Sequence, residues 1–588
     1  MHKGRAPAIA AMLASLMYLV PRIAPGVEDS ALMGQVSSRE EGGPMEGVIV
    51  SAKAVGGNIT VSVVSDNGGR YSFPASRLKP GKYQVSIRAE GYEILAPKAV
   101  APPATRTGRP DPEQRTRPFV VSAEVSANKP AQLDLRLGKL ANVASQLSSA
   151  EWMVDFPGTE EQKENVEACG SCHSLEWVAK SKYDAAAFLD VIKRMDTYAE
   201  GSGPMRAVKK TAEFERPGRK DSHGAMSIQD LAQYLSQLNL SSANRWTYPL
   251  WTVARPRGEA TRVVYTEYDL PRPEAEPYDA VANADGMIWY TDSGSLYLGK
   301  LDPRSGAVKE WRVPEAKPGV PATGIVSLSF DKSGNLWMGS LYQGAIYRFD
   351  PKTEKFAFWS APKEYSNQAR TTMIAPEHSD VDGKVWFAQS GSSAAIHRLD
   401  VSTGNVETFS PFDAKKEGHS IECIVSTPEN SLLFCDYEGG EIGELDAKTG
   451  KAKMFRTPSP TSGPRGGSLD AQGRLFFAEE AENRVAMFDP KTEKFLEWRM
   501  VMAWTLPRAT MPDKTGRVWT AGLTADRVIR MVPDSKIQFT TAMGSRVEYI
   551  LPRRTLIRRV FVDNSTNPVT FWAGSNLGAS IVRVEPLE

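Results

Sequence analysis

The C-terminal half of the chain repeats one unit seven times. Each unit opens on a tight turn, runs into a short aromatic strand, passes a glycine, and ends in two more strands often joined through Asp-Pro. "DGMIWYTDSGSLYLGKLDPRSGAVKEW", "SGNLWMGSLYQGAIYRFDPKTEKFAFW" and "QGRLFFAEEAENRVAMFDPKTEKFLEW" are three examples. Aligned on Trp289, Trp337, Trp386, Leu433, Phe476, Trp519 and Trp572, the units are 48, 49, 47, 43, 43 and 53 residues apart. A unit of that length holds about four strands, cannot bury its own face, and must stack radially on its neighbours. Seven such units predict a seven-bladed β-propeller over residues 250–588. The last unit lacks an outer strand, while "VVYTEYDLP" at 263–271 precedes the first aromatic strand. Those residues are therefore expected to complete the seventh blade and close the ring.

A chain of 588 residues is too long for a single core, and the rest divides into three further segments. His2, Lys3 and Arg5 followed by the apolar run Ala6 to Val20 read as an export leader over residues 1–30. No other stretch reaches the ~20 apolar residues a spanning helix needs, so no membrane span is expected beyond a leader left uncleaved. The 71 basic and 70 acidic residues give a formal charge of +1, which offers no support for a nucleic-acid partner. The expected compartment is the periplasm or another exported location.

Residues 31–140 show short alternating strands with turn signals at Asp66-Asn67-Gly68-Gly69 and Lys79-Pro80-Gly81. The residues Pro44, Gly47, Val48, then Gly69, Tyr71, Phe73, then Leu78, Pro80, Gly81, Tyr83, and finally Gly91-Tyr92 resemble the carboxypeptidase regulatory-like domain. That resemblance implies a transthyretin-like or Ig-like β-sandwich with a docking role. Arg106, Arg109, Arg115 and Arg117 lie in a Pro/Arg-rich loop that reads as solvated.

Residues 141–245 change to helical periodicity. Thr159 with Gln162 forms a capping box, Phe188, Leu189, Ile192 and Met195 share a face, and Ser227 opens a helix carrying Leu231, Tyr234, Leu235 and Leu238. Within this segment lies "CGSCH": Cys169, Cys172 and His173. Cys-x-x-Cys-His is the attachment pattern of a c-type haem, the two thiols adding to the vinyl groups and the histidine becoming the axial ligand. A redox dithiol would need a βαβ setting and a zinc knuckle a second ligand pair, and neither is present. One covalent haem c and a cytochrome c domain are therefore expected. Met195 is the expected sixth ligand, by similarity to single-haem bacterial cytochromes c whose methionine lies in such an Arg-Met stretch. Met226, Met205 and His223 rank behind it. Methionine ligation raises the potential and favours electron transfer.

The units "DGMIWYTD", "GNLWMGS" and "GEIGELD" resemble the virginiamycin B (streptogramin B) lyase family. That family implies a metal-assisted histidine and glutamate 11 residues before and three after one blade's aromatic. Here the same offsets give Tyr278 with Asp292, Glu422 with Asp436, Arg465 with Glu479, and Arg508 with Gly522. No blade yields a His/Glu pair, and His419 falls three residues too early. Tyr278, Asp292, Glu422, Asp436, Arg465, Glu479 and Arg508 are the candidate ligand set at the propeller mouth, for a divalent cation or an acidic ligand. Cys423 and Cys435 flank a hairpin turn and are equally readable as a disulfide or as two buried thiols.

The expectation is thus a multidomain, mainly β protein: sandwich, cytochrome c domain and propeller. Its expected work is electron transfer with a redox partner or dehydrogenase subunit. The alternative is a propeller-based enzyme, either a lyase or a dehydrogenase feeding the haem.

Overall fold

The computed structural model describes residues 29–95, 120–140, 143–199, 201–203, 205–210, 226–239, 250–366, 370–374, 383–390, 394–412, 418–459, 461–533 and 546–587. The leader, the Arg106–Arg117 loop and His223 lie outside them. The protein is multidomain and mainly β. Four-stranded antiparallel units begin at Pro277, Ile325, Arg370, Ile421, Pro464 and Pro507, and Phe561 opens a seventh that has only three strands of its own. The fourth strand of that blade is Val263–Asp269. It pairs antiparallel with Ser580–Pro586 from Val263↔Pro586 to Asp269↔Ser580. The ring therefore closes through its own N-terminal strand, as the repeat pattern predicts. Closure gives the seventh blade its fourth strand, and the blades keep only short, protected edges.

The other edge of Val263–Asp269 is not exposed either. It pairs with Ile59–Val64 of the sandwich, with Val264↔Val63, Thr266↔Val61 and Tyr268↔Ile59 in register. One eight-stranded sheet thus runs from the seventh blade into the N-terminal domain. That domain packs Val36, Val50, Phe73, Val85 and Leu137 into an Ig-like core. Buried charge pairs reinforce the joint. Arg88 bonds the Asp526 carboxylate at 3.0 Å and the Leu551 carbonyl at 2.9 Å.

Among the described residues, five α-helices precede the propeller: α1 (Ser149–Asp155), α2 (Glu160–Gly170), α3 (Glu176–Ala179), α4 (Ala185–Met195) and α5 (Ile228–Leu238). The Thr159/Gln162 capping box forms as read, and Ser227 caps α5 through the amide of Asp230. Their apolar faces share one cluster around Trp152, Phe156, Phe188, Ile192, Leu231 and Leu235. Among the described residues no helix is long and apolar enough to cross a membrane.

Candidate functional site

The helical segment sits across the propeller face. The carbonyl of Thr524 accepts from Ala150 N at 3.2 Å, and Arg206 reaches the blade 1 loop, where Ser295 Oγ accepts at 2.7 Å. Ala199 packs with Val326, Leu341 and Tyr342. Gly201, at φ +80°, crosses so close to the first blade that a Cβ there would lie 2.1 Å from the Ser293 carbonyl oxygen. The propeller mouth is thereby roofed by residues of the helical segment.

Beneath that roof, side chains from blades 1, 4, 5 and 6 converge. Arg465 bonds Glu422 at 2.8 Å across blades 5 and 4, and also pairs with Glu480. Arg508 of blade 6 bonds the other Glu480 oxygen at 3.0 Å. Arg465 lies over the Tyr437 ring at 5.2 Å, and the charges of Arg465 and Arg508 both sense Tyr278. Burial alone would raise the Glu480 carboxyl, but the Arg465 and Arg508 guanidiniums more than reverse it, and it lies below its ordinary value. Glu167 enters from α2. Burial, with Glu480 adding, pushes its carboxyl up to about 7.

Of the sequence-derived set, Tyr278, Glu422, Arg465 and Arg508 meet here. Asp292, Asp436 and Glu479 do not, which corrects the offset-based expectation. These three end their strands and turn along their own blades. Asp292 accepts from Arg272 at 2.6 Å and from the amides of Glu276 and Gly294. Asp436 accepts from the amide of Ser420 and lies 2.6 Å from His419 Nδ1, whose ring stacks on Phe412. Glu479 is fully buried opposite Glu497 and Arg484, and burial with the Glu497 charge pushes it up to about 8. Glu480, the next residue, is the mouth carboxylate that the offset count missed. The cue was available: Glu479-Glu480 is a doublet, and a strand turns consecutive side chains to opposite faces. Among the described residues, no group of three or more His, Cys, Asp or Glu is placed to hold a metal ion. Glu422 and Glu480 are taken up by guanidiniums instead.

The second site is at the end of α2. Cys169 and Cys172 are both free thiols, Cys172 exposed and Cys169 half-buried against the helical core. Burial, with Cys172 and Asp196 adding, pushes the Cys169 thiol up to about 12, so it stays protonated. Asp196, at the end of α4, lies close enough to the motif for its charge to act on that thiol. His173 Nδ1 lies 3.1 Å from the Ser174 carbonyl, its ring stacks on Trp177 at 5.0 Å, and burial lowers its pKa. Because a carbonyl only accepts, Nδ1 carries the proton and Nε2 keeps a free lone pair. Met226 packs in the same cluster as Cys169, and its amide donates to Asn165 Oδ1 of α2 at 3.1 Å. Met195 ends α4 with 37% exposure and Met205 has 47%. The other two cysteines, Cys423 and Cys435, are opposite one another in blade 4 and are joined as a disulfide.

Residues 375–546 match the model of the virginiamycin B lyase family, and residues 31–111 match the carboxypeptidase regulatory-like domain. The propeller is virginiamycin B lyase-like. The sandwich is a carboxypeptidase regulatory-like domain. Neither match reaches residues 112–374, so neither touches the helical segment. Among solved structures, a streptogramin B lyase is 21% identical, covering 55% of this chain and 97% of its own, with a TM-score of 0.46. The virginiamycin B lyase of Staphylococcus aureus is 18% identical over 54% of this chain and 98% of its own, also at 0.46. The extracellular domain of BT4673 from B. thetaiotaomicron is 15% identical over 53% of this chain and 40% of its own, at 0.40. None of the curated proteins matches the chain.

Proposed function

We propose that this chain is an exported c-type haem protein that transfers single electrons, with propeller and sandwich serving as the platform for a redox partner or dehydrogenase subunit. One observation carries the reading: two free thiols stand beside an imidazole whose Nδ1 is committed to the Ser174 carbonyl, leaving Nε2 as a free donor. The residues fit the group in chemistry as well as in order. The thiols are unpaired, burial favours neutral His173, and an apolar helical cluster adjoins Cys169. Haem, when bound, supplies a one-electron couple. The chain's part is to link it through Cys169 and Cys172, hold His173 as a neutral ligand, and offer a methionine, Met195 or Met226, for the sixth position.

The test is production in a periplasm competent for haem attachment, followed by intact mass and reduced and oxidised spectra. One added haem mass and a sharp reduced α band are expected. Protein that emerges without covalent haem overturns the reading.

The comparisons themselves favour the second reading, in which the propeller mouth does the chemistry, because the family match falls on the propeller. His419 beside Asp436 is its best candidate base. Against it stand the missing His/Glu pair and the roof over the mouth. Incubation with a streptogramin B depsipeptide decides it: ring opening, lost in His419→Ala, supports a lyase, and an intact ring removes it.

A further inference from the structure

The segment that carries Cys172 and His173 is gripped from outside its own domain. Arg554 and Arg558 lie on the chain leading into the seventh blade, four residues apart and more than 370 residues from the motif. Arg558 Nη2 donates to the Ser171 carbonyl at 2.7 Å. Arg554 Nη1 donates to Glu176 Oε2 at 2.6 Å and to Ser174 Oγ at 3.3 Å, while its Nη2 donates to the Ser145 carbonyl. The two guanidiniums therefore hold the loop on both sides of Cys172-His173. Ser174 is the shared element, since its carbonyl is the partner of His173 Nδ1. Arg558 is itself tied to the first blade. With the Asn576 amide in its hydrogen-bonded orientation, Arg558 Nε donates to it at 3.3 Å, and Asn576 donates on to the Pro277 carbonyl at 2.8 Å.

We propose that Arg554 and Arg558 are positioning residues for His173, so that the propeller sets the orientation of the haem ligand through the Ser171–Glu176 loop. The physical basis is that an axial histidine's donor strength depends on the bond made by its other nitrogen, and that bond depends on where the accepting carbonyl is held. This inference rests on the haem reading given above, and it accounts for why the motif lies against the propeller.

The experiment uses the full chain carrying R554Q and R558Q together, each variant alone, and R558K. Two quantities are read: hydrogen exchange of the 169–176 peptide and the midpoint potential of the haem-loaded protein. Loss of the grip weakens the Nδ1 bond, makes His173 a poorer donor and favours the ferrous state. The expected result is exchange about 10-fold faster and a reduction equilibrium shifted about 10-fold toward ferrous, equivalent to about 59 mV upward for one electron. R558K, which keeps one donor for Ser171, recovers wild-type exchange. Unchanged exchange and potential in the folded variants overturn the proposal. If the double variant does not fold, the single variants give the same decision. The haem reading fails separately: a wild-type chain without haem mass sinks that reading. The exchange of C169A/C172A protein, with and without the arginines, then still decides whether they hold the loop.

Discussion

Glu479→Gln is expected to stabilise this protein in alkali and leave it unchanged in mild acid. Glu479 is fully buried with Glu497 opposite, and its carboxyl sits at about 8 instead of 4.5. The direction follows from linkage. An acid whose folded value is raised contributes stability that is complete below its unfolded value and is lost as pH rises through the folded one. Moving from 4.5 to about 8 at 1.36 kcal/mol per pH unit is worth about 5 kcal/mol as a ceiling. Gln keeps the shape of the protonated acid and never ionises. Calorimetric unfolding of both proteins from pH 5 to pH 9 is the assay, because a multidomain chain shows separate transitions. The propeller transition of the wild type should fall more steeply above pH 5 than that of the variant, the curves meeting near pH 5. Parallel curves across the range would refute the assignment of Glu479 as a protonated, non-axial residue.

Three other outcomes follow from the geometry. Glu480→Gln leaves Arg465 and Arg508 buried without their shared carboxylate, and should cost about 3–5 kcal/mol of propeller stability, read by the same calorimetry. Val61→Pro removes a ladder bond from Ile59–Val64, the strand joining sandwich to propeller, and should cost about 3 kcal/mol or more, seen as limited proteolysis between the two domains. Met195→Ala and Met226→Ala separate the sixth-ligand candidates. The true ligand is the one whose loss abolishes the far-red band of methionine-ligated ferric haem, and loss of that band in neither removes both.

What the sequence determined by itself is what depends on short-range pattern. The seven aromatic strands, the glycine turns, the capping box at Thr159, the N-cap at Ser227, and the spacing of Cys169, Cys172 and His173 are all set within a few residues. Ring closure by Val263–Asp269 was also legible, because one blade lacked a strand and one strand lacked a blade. The candidate site was legible only in part. Offsets borrowed from a resembling family placed Tyr278, Glu422, Arg465 and Arg508 at the mouth, but they put Glu479 there in place of Glu480. Adjacent residues at a strand end point to opposite sides, so an error of one position moves a carboxylate from the axis into the blade. Tertiary structure alone decided the rest: Ile59–Val64 pairing with the closing strand, Glu167 entering the arginine cluster, and Arg554 and Arg558 holding the Ser171–Glu176 loop. Those contacts join residues 200 to 400 positions apart. No local periodicity encodes them. They form because an unpaired strand edge and a surplus of buried guanidinium charge each require a partner, and only the packed domains bring one within reach.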